Sequence, residues 1–141
     1  MKLKKLLSIL MITALLFAIS SCGNSSAPAD IWKDAQYSKD TTLGNGDKTV
    51  TIKVEAEDKS VVFTIKTDKK TVGEALLEHK LISGDEGPYG MYVKKVNGIL
   101  ADYDVDQTYW SFSKDGEYMT TGVDMTEFSD RDEFELVYTK E

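Results

Sequence analysis

From Val50 to Ala56 apolar and polar residues alternate strictly, with Val50, Ile52, Val54 and Ala56 interleaved by Thr51, Lys53 and Glu55. A period of two sends the two sets to opposite faces and predicts a half-buried strand. "EDKS" then makes a turn, and the alternation resumes through Val61, Phe63 and Ile65, so the two runs form a hairpin. The period changes in "TVGEALLEHKL", where Val72, Ala75, Leu76 and His79 fall on one helical face. Thr71 stands three residues before Glu74, the spacing of a capping box, which predicts a short helix of two to three turns. "ISGDEGPYG" reads as a loop, broken by Gly84, Gly87, Pro88 and Gly90. "MYVKKV" is a third strand, and Asn97-Gly98 is a favoured hairpin turn. After the acidic connection "ADYDVDQ", "YWSFS" is a strand with "KDG" as its turn. "TTGVDMTEFSD" is an irregular connection, and Phe134, Leu136 and Tyr138 alternate in a final strand.

A hairpin, a helix and then further strands predict an α+β fold rather than a parallel βαβ sheet. The expected arrangement is β-grasp-like, one short helix packed on a mixed sheet of four to five strands, over residues 49–141. The segment before it, "IWKDAQYSKDTTLGNGDK", has no clean period and reads as a loose lead-in on which Trp32 and Tyr37 are candidates to dock. "GNSSAPAD" is small, polar and Pro-containing, the composition of a flexible tether.

The N-terminus has a different pattern. Lys2, Lys4 and Lys5 precede an apolar run from Leu6 to Ile19. Its length suits a secretory leader and falls short of the roughly 20 residues of a membrane-spanning helix. Ile19-Ser20-Ser21-Cys22 resembles a bacterial lipobox, and Cys22 is the chain's only cysteine. That resemblance implies a lipoprotein signal peptide over residues 1–21, lipidation of the Cys22 thiol, and a lipid-anchored tether and lead-in over residues 22–48. The expected location is extracytoplasmic, on the membrane of a bacterium. The plain alternative is a signal peptide cut after Ser20 that leaves a free thiol. Either way no disulfide is available to the fold.

Charge narrows the partners. Without the three leader lysines, 14 basic residues face 24 acidic ones, a net charge of −10. So acidic a chain is a poor fit to nucleic acid or to lying flat on anionic lipid.

The residues offer little for catalysis. There is no second thiol, and the single histidine, His79, lies on the apolar side of the helix near its C-terminus. No carboxylate spacing selects an acid/base pair, and no phosphate-cradling loop or zinc set is present. Asp102, Asp104 and Asp106 copy the first three ligand positions of a calcium loop, but Gln107 occupies its glycine position and Ser113 its final glutamate position. The stretch reads as a solvated acidic loop. The expectation is a protein that is not an enzyme, with no metal and no required cofactor.

Aromatic residues remain. Of 14 in the chain, Tyr103, Tyr109, Trp110, Phe112 and Tyr118 fall within one short stretch. In a strand Trp110 and Phe112 share one face and Tyr109 the other. Core is the favoured reading for Trp110 and Phe112, whereas Tyr109 and Tyr118 are equally placed to meet a ligand.

"TVGEALLE", "YGMYVKKVNG", "TYWSFSKDG" and "TTGVD" together resemble, in order and spacing, the C-terminal β-domain of the transcobalamin and intrinsic-factor family. The likeness is strongest to its stand-alone bacterial versions (DUF4430), over Val50 to Tyr138. In the vitamin carriers this domain closes over one face of cobalamin while a helical barrel holds the other. The resemblance implies ligand contacts at Tyr109, Trp110, Phe112, Gly122 and Val123, with Tyr118 at the hairpin tip and Asn97-Gly98 as a structural turn. These 141 residues contain no counterpart of the barrel, so the half-site is expected to bind a small molecule weakly unless a second protein completes it, and His79 does not inherit a cobalt-ligating role. The function so implied is a cell-surface lipoprotein that captures a small molecule, with cobalamin or another corrinoid as the sharpest candidate. The alternative is a protein–protein or adhesion module using the sheet face or an edge strand.

Overall fold

In the computed structural model residues 29–141 are described; the leader, Cys22 and nearly all of the tether lie outside them. The chain runs through β1 (Thr41–Gly44), β2 (Lys48–Ala56), β3 (Lys59–Thr67), α1 (Val72–Glu78), β4 (Ile82–Gly87) and β5 (Gly90–Val96). It continues through β6 (Ile99–Leu100), α2 (Tyr103–Asp106), β7 (Thr108–Lys114), β8 (Glu117–Tyr118) and β9 (Asp132–Lys140). Six strands form a mixed sheet in the order β1-β3-β2-β9-β7-β8, and β4-β5-β6 form a second sheet. The class is therefore α+β with mostly strands. The sheet is larger than the four to five strands expected, and among the described residues there are two short helices rather than one.

Register makes one face of the large sheet continuously apolar. Ile52 faces Phe63 across the β2–β3 hairpin and Phe134 across the parallel β2–β9 pair. Leu136 faces Phe112, and Tyr138 faces Trp110, across the antiparallel β7–β9 pair. Paired residues share a face, so the alternation of each strand sums to a single core surface. Val72, Ala75 and Leu76 of α1 are buried in the same cluster, as are Val93, Val96 and Ile99 of the second sheet.

α1 begins and ends on recognisable signals. The Thr71 hydroxyl accepts from Glu74 N–H at 3.2 Å, and the Glu74 carboxylate accepts from Thr71 N–H at 3.1 Å. At the other end Leu81 N–H bonds the Leu76 carbonyl and Lys80 N–H the Leu77 carbonyl, each at 3.0 Å, the paired bonds of a Schellman motif. Its left-handed position, usually a glycine, is held by Lys80 at φ 55°. Among the described residues no helix is long and apolar enough to cross a membrane.

Three segments differ from the local reading. The lead-in is not loose: a 3-10 turn at Ile31–Asp34 and strand β1 pack on the domain. Trp32 donates its indole N–H to the Ala56 carbonyl at 2.9 Å, and the Tyr37 ring meets Phe63 edge-on at 5.5 Å. "ISGDEG" is strand β4 rather than loop, because β5 supplies a ladder running from Ile82↔Val96 to Gly87↔Gly90. Its residues beyond Ile82 are exposed, so no apolar alternation announces it. The acidic connection closes into the single turn α2, capped by Asp102. The 120–130 connection is irregular as expected, with one 3-10 turn at Val123–Met125.

Candidate ligand-binding rim

β7 and β8 are joined by Asp115 (φ 51°) and Gly116 (φ 82°), the double left-handed conformation of a type I′ hairpin. The turn pairs Lys114 with Glu117 and Ser113 with Tyr118. Trp110 is 7% exposed, its indole N–H donates to the Ile99 carbonyl at 3.3 Å, and its ring meets Tyr138 edge-on at 5.5 Å. It joins the two sheets as a core residue. Phe112 is half-buried and stacks on Phe134 at 5.5 Å with 21° between the rings.

Tyr109 goes elsewhere. Its register partner is Thr139, on the face of the sheet opposite Trp110. Its ring lies 6.4 Å from that of Tyr103, whose hydroxyl donates to Glu141 at 2.6 Å. That hydrogen bond, followed by the carboxylate charge, raises the Tyr103 phenol above its ordinary value. Tyr109 is five residues from Lys114 along β7, roughly 17 Å at strand rise. The structure therefore separates Tyr109 from the hairpin tip and sets it on the other face from Trp110.

Phe112 and Tyr118 stand on the β7–β8 hairpin that leads to Gly122, but Tyr118, paired with Ser113, is on the face opposite Phe112. Met119 N–H bonds the Phe112 carbonyl at 2.9 Å, continuing the hairpin toward the next loop. Gly122 N–H then bonds the Tyr89 carbonyl at 2.8 Å, and the Asp124 carboxylate accepts from Met91 N–H at 2.6 Å. These two bonds tie the loop to the β4–β5 hairpin. A Cβ on Gly122 would stand 2.8 Å from the Met91 nitrogen, so the approach requires glycine. Thr126 closes the loop through its hydroxyl, which donates to the Gly122 carbonyl at 2.9 Å. Val123, 1% exposed, is buried in the core and supports the loop from beneath. Tyr89, whose carbonyl holds Gly122, and Tyr118 on β8 are each 76% exposed. Tyr89 was not singled out by sequence reasoning, because "GPYG" looked like loop; an aromatic between Pro and Gly at a hairpin tip was the available signal.

The charges nearby are paired for structure. The Lys114 ammonium lies 2.9 Å from the Asp132 carboxylate and 5.4 Å above the Phe134 ring. Asp132 is held below the usual carboxylate range, first by the Ser129 N–H and then by Lys114. Two of the three aspartates of the acidic connection serve the backbone: the Asp102 carboxylate accepts from Asp104 N–H, and that of Asp106 from Thr108 N–H. His79 sits at the α1 C-cap with its Nε2 buried and 4.0 Å from Glu78. Among the described residues no set of three or more His, Cys, Asp or Glu side chains is arranged to hold a metal. The rim offers stacking surface, two phenol hydroxyls and backbone groups, the means of non-covalent recognition.

No curated protein matches the chain. Among solved structures, a Ruminococcus gnavus protein described as a "putative metal binding protein" is 36% identical with a TM-score of 0.63, covering 67% of this chain and 99% of that one. Haptocorrin, a member of the transcobalamin family crystallised in complex with Cbi, is similar with a TM-score of 0.52 and 15% identity. The likeness covers 70% of this chain and only 27% of haptocorrin, and at that identity it is one of fold. No catalytic family is matched: residues 69–140, slightly more than half of the chain, match the family described as Domain of unknown function (DUF4430), and the chain belongs to that family.

Proposed function

We propose that this chain is a non-catalytic ligand-binding module whose site is the rim of Tyr89, Gly122 and the β7–β8 hairpin that carries Phe112 and Tyr118, with a corrinoid as its ligand. One observation carries the reading: the Gly122 loop is tied to the β4–β5 hairpin through the Gly122 N–H and the Asp124 carboxylate, beside Tyr89, which is 76% exposed. Exposed aromatics on a pre-ordered frame lose little entropy when they stack on a flat ligand. The haptocorrin likeness supports the choice of ligand, since that protein was crystallised with Cbi. In this reading Trp110 and Val123 support the rim from the core, and Tyr109 does not touch the ligand. A rim open on one side binds weakly alone, so a second protein completes the site.

The β-grasp-like reading rests on the order β3-β2-β9-β7, with β2 and β9 parallel at the centre and α1 following the first hairpin. Anchoring rests on the lipobox-like residues ending at Cys22, which lies outside the described residues. Diacylated Cys22 would hold the module on the outer face of a bacterial membrane.

Titration calorimetry with cobalamin and cobinamide tests the ligand. Binding that weakens at least fivefold in Tyr118→Ala and Tyr89→Ala, with Tyr109→Ala unchanged, is the expected result. No heat at high micromolar ligand sinks the corrinoid reading and favours the protein–protein alternative. For the anchor, Cys22→Ala is expected to move the protein from the membrane fraction to the soluble one; a variant that stays membrane-bound defeats the lipoprotein reading.

A further inference from the structure

At the end of β5 away from Gly90, roughly 20 Å from the rim at strand rise, the surface opens into a cleft of about 670 Å³. That volume lies within the range of small-molecule sites. Register builds one wall: Ser83 pairs with Lys95 and Lys95 with Leu100, so a hydroxyl, an ammonium and an isobutyl group stand in one row across the second sheet. The floor includes Leu81, 1% exposed. Lys80, Gln36 and Asp34 also line the cleft. The docked lead-in is fixed there by the bond from Gln36 N–H to the Asn97 carbonyl at 2.9 Å, so the cleft is formed before any ligand arrives.

Its charge runs against the rest of the molecule. The chain carries a net charge of −7, yet the cleft is lined by two lysines and one acidic residue, Asp34. Among the described residues the ion pairs engage other lysines and leave Lys80, Lys95 and Asp34 without one. Lys80 occupies the left-handed position of the Schellman motif at φ 55°, where glycine carries no steric penalty. A helix C-terminus favours a cation anywhere in its last turn, but it does not call for one at the strained position.

We propose that this cleft is a second binding site, for a small organic anion. Its carboxylate or phosphate sits between Lys80 and Lys95 beside Ser83 and Gln36, and its apolar part rests on Leu81 and Leu100. The proposal is independent of the corrinoid reading, because none of the rim residues lines the cleft.

The test uses the full chain and three probes: phenyl phosphate, benzoate, and benzyl alcohol as the uncharged control. Binding is followed by backbone amide chemical shifts. Saturable shifts at residues 81–83 and 98–100 with either anion, and none with the alcohol, are expected. Lys95→Gln should weaken binding at least fivefold. Lys80→Gly should do the same while leaving the protein at least as stable as the parent, because glycine is preferred at that position. No saturable shift up to roughly 10 mM anion, weaker than any useful affinity, would overturn the site. So would equal shifts with benzyl alcohol, or affinities unchanged in both variants.

Discussion

Asn97 and Tyr37 are held together by a two-way bond between a side chain and a backbone. The Asn97 carboxamide oxygen accepts from Tyr37 N–H at 2.9 Å, and its nitrogen donates to the Tyr37 carbonyl at 2.8 Å. Asn97 is fully buried at φ 51°, and its own N–H bonds the Leu81 carbonyl at 2.7 Å. A residue that reads as the first half of a hairpin turn thus also pins the lead-in to the domain. Asn97→Ala keeps neither bond and leaves both Tyr37 groups without their partner. It should destabilise the protein by about 3 kcal/mol, read as a lower midpoint in urea.

Trp110 and Tyr118 separate fold from rim. Trp110→Ala removes the ring that joins the two sheets, and should cost about 3–5 kcal/mol. Tyr118→Ala, at a site 76% exposed, should change stability by no more than about 0.5 kcal/mol. Its effect should appear in ligand titration. Equal losses of stability in the two variants would contradict this division.

Gly73 lies inside α1, where alanine would ordinarily improve helix propensity by roughly 1 kcal/mol. Here a Cβ would stand 2.6 Å from the Asp124 Cα and 3.0 Å from the Val123 carbonyl carbon. Gly73→Ala should therefore lower the thermal midpoint, and it should weaken binding at the rim by displacing the loop that carries Gly122. A rise in the midpoint would show that the loop yields freely.

Acid should loosen the α1 cap and the start of β9. Glu74 is held below its ordinary value by the backbone N–H groups of Thr71 and then Lys70, and Asp132 by the Ser129 N–H and then Lys114. Both folded values are depressed, so the stabilisation is present above the unfolded carboxylate range, about pH 4, and is lost as pH falls through the folded values. Thermal midpoints should fall below about pH 4, and less steeply in the Glu74→Gln, Asp132→Asn double variant. An unchanged slope would remove these two groups as its source.

The elements legible in the residues were those whose signal is local. The β2–β3 alternation, the Thr71–Glu74 cap and the Asp115-Gly116 turn all depend on neighbours within a few positions, and all three stand in the structure. Trp110 as core was legible for the same reason, since its parity with Phe112 places both on the apolar face. Strand β4 was not legible, because its exposed residues carry no period and only β5 gives it a partner. β1 was hidden likewise: it pairs in parallel with β3, Leu43 beside Ile65, across a contact that no turn sequence announces.

By itself the sequence determined the α+β class, the apolar face of each main strand, the helix with its cap, and the aromatic strand that the rim is built upon. Periodicity and capping are properties of the chain over a few residues, and they survive any packing that buries the apolar side. Tertiary structure decided what stands next to what. It inserted β9 between β2 and β7, folded the lead-in onto Asn97, brought Tyr89 to Gly122, and sent Tyr109 to the other face from Trp110. These are pairings between distant segments, set by which backbone edges and apolar surfaces remain to be satisfied once the local elements have formed.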